Sequence, residues 1–203
     1  MKKIKRKLII LKNRTIKKKL NNFFDWVKGA ELTELDSCNI KEDPIRPELD
    51  VKFRTNYGRK IFGVKYKKEI CAIMCFGFTN EIPKTIKELD LMTKDAFLKN
   101  TLTDQKVGQI AIAYTVWSKR RGGGKLIVKE IFKMIKKSNH LNRLVTLSPL
   151  TEMARNFHLH NGAIELRVNQ ETQNFEYKIW FTFLIKKTLR TFIPRVYNFN
   201  LDY

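Results

Sequence analysis

The chain has 203 residues, 43% of them hydrophobic, with 41 Lys+Arg against 20 Asp+Glu and a formal net charge of +21. This length suits one domain with an appendage, and the apolar content excludes global disorder. Three cysteines and no secretory signal indicate a reducing compartment, the cytoplasm, and the surplus of cations attracts polyanions.

In chain order, ten of the first twenty residues are Lys or Arg and none is acidic. The apolar run Leu8 to Leu11 is too short for a signal-peptide core or a membrane span, so no membrane is expected. Ile16, Leu20, Phe23 and Val27 recur at helical spacing and predict an amphipathic helix ending near Gly29. Residues 1–30 are thus a basic arm and helix appended to a domain over 31–203. The stretch "IKEDPIRPELD" reads as a Pro-punctuated linker. Two strands are expected at 59–66 and 69–78, joined by a Lys67-Lys68 turn, then a short helix around Ile86–Leu98. "GQIAIAYTVW", residues 108–117, is a third long strand. After the turn "SKRRGGGK" comes a helix with Ile127, Ile131, Met134 and Ile135 on one face and Lys125, Lys129, Lys133 and Lys137 on another. "RLVTL" is a short buried strand. "SPLTEMARNFHLHNG" is a helix, with Ser148 as cap, Pro149 in the first turn and Gly162 at the left-handed stop. "AIELRVN" and "NFEYKIWFTFLI" form a hairpin, and the basic, aromatic tail after Lys186 has no assigned place. This order makes a mixed α/β domain without internal repeats.

The turn at Lys119–Lys125 suits phosphate, the alternative being a flexible turn before an amphipathic helix in an ordinary α/β domain. A helix N-terminus offers unpaired N–H groups and the positive end of a dipole, glycine lets the backbone close on an anion, and Arg and Lys add charge-assisted bonds. It is not a P-loop, because Gly124-Lys125 is followed by Leu126 and no glycine sits at Lys119 or Arg120. It is not the dinucleotide fingerprint either, because Gly122-x-Gly124 is followed by Ile127 where glycine is required.

Lys119-Arg120-Arg121-Gly122-Gly123-Gly124 resembles the Gln/Arg-x-x-Gly-x-Gly/Ala signature of the GNAT acetyltransferase superfamily, with Lys in the first place. "VTLSPLTEMARNFHLHNGA" resembles the later motif of that family, at Thr151, Ala154, Phe157, His158, Gly162 and Ala163. The resemblance covers residues 59 to about 180. It implies a central, mostly antiparallel sheet flanked by helices, with a V-shaped splay between strands four and five. It implies acetyl-CoA as acyl donor, bonded to the backbone of Tyr114 and Val116, its pyrophosphate held by the amides of Arg121, Gly122, Gly123 and Gly124. Lys119, Arg120 and Lys125 would add charge, and Thr151, Ala154 and Phe157 would complete the cofactor wall.

Where many relatives carry a tyrosine that protonates the leaving thiolate, this chain has His158. Its ordinary pKa of about 6.5 suits an acid near neutrality, and the alternative is a histidine that packs beside the cofactor. Tyr114 is a second candidate acid. Strand four carries no carboxylate to serve as general base. Glu81 is either within reach or simply solvent-exposed, and water can take the proton instead. His140 and His160 have no role, and Cys71 and Cys75 share a strand face as core rather than metal ligands. Asn13-Arg14-Thr15 matches a glycosylation sequon, which has no meaning without secretion.

Three function classes stand. The first is acyl transfer to an amine of a protein or small molecule. The charge is then incidental, a product of the Lys- and Asn-rich usage of a low-GC genome. The second is transfer to nucleic acid or a nucleic-acid-bound acceptor, favoured by the basic arm and the Lys125–Lys137 stripe. The chain's compactness and composition suggest a phage-encoded member. The third is a nucleic-acid-binding domain on this scaffold that has lost catalysis.

Overall fold

The computed structural model describes residues 21–103 and 106–178. The basic arm, the expected start of the first helix, the part of the last expected strand beyond Lys178 and the aromatic tail lie outside the described residues. Residues 21–28 are helical (α1). There follow β1 (Glu31–Leu35), a 3-10 turn (Ile40–Glu42), α2 (Val51–Thr55), β2 (Lys60–Tyr66), β3 (Glu69–Thr79) and α3 (Ile86–Thr103). Then come β4 (Ile110–Ser118), α4 (Gly123–Lys137), β5 (Arg143–Thr146), the two-residue β6 (Ser148–Pro149), α5 (Glu152–His160), β7 (Ala163–Val168) and β8 (Thr172–Tyr177).

The strands form one sheet in the order β1-β2-β3-β4-β5-β8-β6, with β7 paired to β8. All pairs are antiparallel except β4–β5. The hairpin at 60–79 turns where expected: Lys67 and Lys68 both adopt positive φ, 48° and 72°, the backbone of a two-residue turn that follows the sheet twist. Helix α4 buries Leu126, Ile127, Val128, Ile131, Phe132 and Ile135 against one sheet face, where Trp26 of α1 and Phe157 of α5 join it. On the other face Phe53 of α2 and Leu89 of α3 pack over Ile73, Cys75, Ile112 and Tyr114.

Two expectations are corrected. The stretch "IKEDPIRPELD" is not a linker but a loop folded around the buried Arg54, and before it Glu31–Leu35, which had no assignment, adds an edge strand to β2. Ser148 does not cap α5. Thr151 does, its Oγ1 accepting from the Ala154 amide at 3.2 Å, while Ser148 and Pro149 pair with β8.

The splay has a local cause. Parallel pairing ends at Ala113↔Thr146, closed by the Leu147 amide donating to the Ala113 carbonyl at 2.8 Å. On the other side of β4, Phe76 opposes Ala113 and Cys75 opposes Thr115, so Tyr114 is an extra, bulged residue. A bulge bends its strand and increases the twist. Strand β4 therefore runs on to Ser118 while β5 ends, and β6 crosses to β8.

Candidate active site

A cleft of about 340 Å³ opens at this divergence, within the range of small-ligand sites. Its floor is β4 from Ala113 to Ser118. One wall is Gly124 with Ala154, Phe157 and His158 of α5, and the other includes Pro44 and Ile45 of the loop before α2. The expected site residues Tyr114, Val116, Lys119, Gly124, Ala154, Phe157 and His158 all line it.

The glycine turn leads from β4 into α4. Gly122 is its N-cap, at φ 84°, a left-handed conformation that glycine adopts without a Cβ clash. A Cβ on Gly124 would stand 3.1 Å from the Phe157 ring, so glycine here lets α4 and α5 close on one another. Gly123 departs from expectation: its amide donates to the Arg120 carbonyl at 2.9 Å and is not free for a ligand. The amides of Arg121, Gly122, Gly124 and Lys125 have no acceptor among the described residues. They leave a nest of four donors at the positive end of a 15-residue helix. Lys125 stands beside it, its pKa lowered first by burial and then by Lys129, and none of the ion pairs among the described residues includes it. A half-buried ammonium next to free amides fits an anion.

The other cations of the turn are engaged. Lys119 Nζ bonds Glu42 Oε2 at 2.6 Å, which holds the Glu42 carboxyl below its ordinary range. The Arg120 guanidinium lies over the rings of Trp26 and Tyr66, at 5.2 and 4.9 Å from their centres. Arg121 is exposed.

No protein-family model matches the chain, and no curated relative is found. Solved structures do resemble it. A Bacillus subtilis acetyltransferase in complex with CoA superposes with a TM-score of 0.50 at 8% identity, over 74% of this chain and 99% of that one. A GNAT family acetyltransferase from Elizabethkingia anophelis with acetyl-CoA bound gives 0.44 at 9% identity, over 73% and 95%. A malonyl-CoA decarboxylase from Cupriavidus metallidurans gives 0.44 at 18% identity, over 68% of this chain and 36% of the decarboxylase. The chain has the GNAT fold.

Within that fold, the surroundings of His158 favour the packing alternative over the proton donor. The ring is 4% exposed, stacked on Phe175 and bonded at both nitrogens, Nε2 to Ser148 Oγ at 2.8 Å and Nδ1 to Tyr177 Oη at 2.7 Å. With the Tyr177 hydroxyl donating to Nδ1 and Nε2–H donating to Ser148, both ring nitrogens and the phenol are satisfied by a neutral ring. Burial pushes its pKa down to about 3, so imidazolium is scarce near neutrality. Of the two readings, packing is the one the geometry supports. Tyr114 is no better placed as an acid: it is 1% exposed, edge-on to Phe53, and burial raises its hydroxyl far above the phenol range. Glu81 is exposed, as one reading had it. His140 bonds the Val107 carbonyl and His160 the Asn156 carbonyl, both away from the cleft. Thr151 caps α5 rather than lining the cleft.

The sequence reading missed the second wall. Asp43 and Arg54 form an ion pair of 2.8 Å with both side chains fully buried. Asp43 also accepts from Thr115 Oγ1 at 2.9 Å and from the amides of Ile45 and Arg46 at 2.8 and 3.1 Å. Arg54 donates to the carbonyls of Leu49 and Arg46 at 2.9 and 2.7 Å and to Cys75 Sγ at 3.4 Å. The pair clamps the loop carrying Pro44 and Ile45 onto β4 next to the bulge. Among the described residues no cluster of three or more metal-ligating side chains occurs, and no helix is long and apolar enough to cross a membrane.

Proposed function

We propose that the protein is an N-acyltransferase that moves an acetyl group from acetyl-CoA to a primary amine. One observation carries the reading: the free edge of β4 opens onto a cleft lined by Gly124 at the start of α4, where four amides have no acceptor among the described residues and the half-buried Lys125 follows in sequence. A pantetheine arm presents alternating amide donors and acceptors, the ligand an unpaired strand edge takes. The backbone of Tyr114 and Val116 would bond it. The diphosphate then falls at the amides of Arg121, Gly122, Gly124 and Lys125, with the Arg121 and Lys125 side chains adding charge. Ala154 and Phe157 cover the arm.

The donor supplies a thioester. The amine forms the new C–N bond, the C–S bond breaks, and the thiol leaves. This chain contributes proximity, main-chain polarisation of the thioester oxygen and exclusion of water. Burial disfavours the imidazolium of His158 and makes the Tyr114 hydroxyl a weak acid, so in this reading proton exchange runs through solvent at the cleft mouth.

Calorimetry with CoA tests the site. Lys125→Glu places a carboxylate at the diphosphate and should weaken binding by about 100-fold. Unchanged affinity would remove the site. Labelled acetyl-CoA incubated with a cell lysate shows whether label enters protein, small amines or nucleic acid.

A second reading, transfer to nucleic acid or to an acceptor bound to it, has one observation behind it: the charge of +21 exceeds what one CoA needs. Retention on DNA that falls with salt at a slope worth about 6 or more phosphates would favour it.

A further inference from the structure

The cation that the turn's pattern most invites onto the phosphates is Arg120, and the structure gives it a different environment. Its guanidinium lies over Tyr66 at 4.9 Å and Trp26 at 5.2 Å, two rings that themselves stack at 6.2 Å and 27°. Trp26 is 1% exposed and belongs to α1, nearly a hundred residues earlier in the chain. Two further contacts tie α1 to the same place. A Cβ on Gly29, where α1 ends, would stand 3.1 Å from the Tyr66 ring, so the helix end lies tight on that ring. A Cβ on Gly122 would stand 3.3 Å from the Phe23 ring, so α1 also touches the N-cap of α4. The Arg120 backbone in turn shapes the turn: its carbonyl accepts from the Gly123 amide at 2.9 Å and from Ser118 Oγ at 3.1 Å.

We propose that Arg120 is a positioning residue, which couples the docking of α1, through Trp26 and Tyr66, to the shape of the amide nest. The donor site is thereby completed by an element outside the two sequence motifs, and affinity for the CoA diphosphate depends on whether α1 is seated. The physics is that of a planar cation on aromatic faces. Holding Arg120 against α1 fixes its carbonyl, the carbonyl takes up the Gly123 amide, and the neighbouring amides of Gly122 and Gly124 are left without an acceptor among the described residues. The inference rests on the cofactor reading above.

Three variants test it: Arg120→Met, Trp26→Phe and the double variant, each first shown to be folded by its thermal melt. Calorimetry with CoA should show about 5- to 30-fold weaker binding for Arg120→Met. Trp26→Phe should weaken it in the same direction, and the double variant should be no weaker than Arg120→Met alone. The dependence of affinity on salt should keep its slope in Arg120→Met, because no phosphate contact is lost. If Trp26→Phe binds CoA like the parent protein while Arg120→Met lowers the salt slope, Arg120 touches phosphate directly and the proposal is overturned. Hydrogen exchange provides a readout that does not need CoA. The Gly123 and Leu126 amides, bonded to Arg120 and Gly122 carbonyls, should exchange faster in both single variants, and unchanged exchange also overturns the coupling. If the parent protein binds no CoA, the cofactor reading fails, while the exchange result still decides whether α1 and the turn are coupled.

Discussion

The buried ring of His158 predicts a specific acid sensitivity. Its pKa lies near 3 in the folded chain against about 6.5 unfolded. Between these values the unfolded state binds the extra proton, so stability rises with pH there and is lost as pH falls below 6.5. At pH 4.5 the unfolded imidazole is almost fully charged and the folded one is not, which costs roughly 3 kcal/mol, about 1.4 per pH unit. For a domain of 5–15 kcal/mol total stability that is a large share. The control is His158→Phe. It removes the titration but leaves Tyr177 Oη, whose one bond among the described residues is to this ring, without a partner. That costs about 1–3 kcal/mol at pH 7. Urea unfolding at pH 7, 5.5 and 4.5 should therefore show the parent protein ahead at pH 7, its lead shrinking or reversing at pH 4.5. Parallel pH dependences in the two proteins would refute the reasoning. The same pair tests catalysis: pH–rate profiles from pH 6 to 9 should have the same shape, and an inflection present only in the parent would restore His158 as an acid.

Arg54→Met should destabilise by about 3–5 kcal/mol, because it leaves the Asp43 carboxylate buried without its cation; a change under 1 kcal/mol in urea unfolding would mean the loop is not held by the pair. Gly122→Ala must take φ 84° with a Cβ against Phe23, costing about 1–2 kcal/mol and weakening CoA binding; a neutral result in melting and calorimetry would show the turn relaxes freely. Cys38 is half-buried, and a hydrogen bond with the Cys75 thiol, more than the charge of Arg54, brings its pKa down to about 7. Its alkylation by iodoacetamide should rise through an inflection near pH 7, and one near 9 would show an ordinary thiol.

Sequence periodicity revealed the elements whose signal is local. The 60–79 hairpin alternates and turns on two polar residues, and α4 carries a clean apolar stripe after its glycines. The two motifs fixed the neighbourhood of the cleft, since β4, the turn and α5 are consecutive parts of its rim. What stayed hidden depends on distance along the chain. Arg54 looks like one cation among many until it meets Asp43, eleven positions earlier, and Cys75, twenty-one later. The prolines around it mark turns equally well in a linker and in a clamped loop. Ser148 and Thr151 both have the chemistry of a cap. Ser148 is drawn away by Thr146 and His158, at 3.0 and 2.8 Å, partners that only the tertiary fold supplies. Helix α3 runs to Thr103, past the expected Leu98, and the extra turn was not legible because Lys99–Thr103 is exposed, its one large apolar residue, Leu102, included.

The two walls of the cleft are made by different physics, and this divides the work between them. In the proposed function the donor side is main chain, a free strand edge and a helix start, which suit a ligand offering amides and a diphosphate. Because the main chain supplies the donors there, Lys119 can be committed to Glu42, and Arg120 to α1, without taking an amide of the nest out of use. The opposite side is a loop pinned by one buried ion pair, with Pro44 and Ile45 facing the cleft. Its shape follows from side-chain identity at Asp43 and Arg54. Substitutions at Pro44 and Ile45 should therefore alter the choice and KM of the amine and leave CoA affinity unchanged. Kinetics with the amine that acquires label, set beside CoA calorimetry, measure both quantities. A Pro44 or Ile45 variant that changed CoA affinity while leaving acceptor KM alone would place the amine elsewhere.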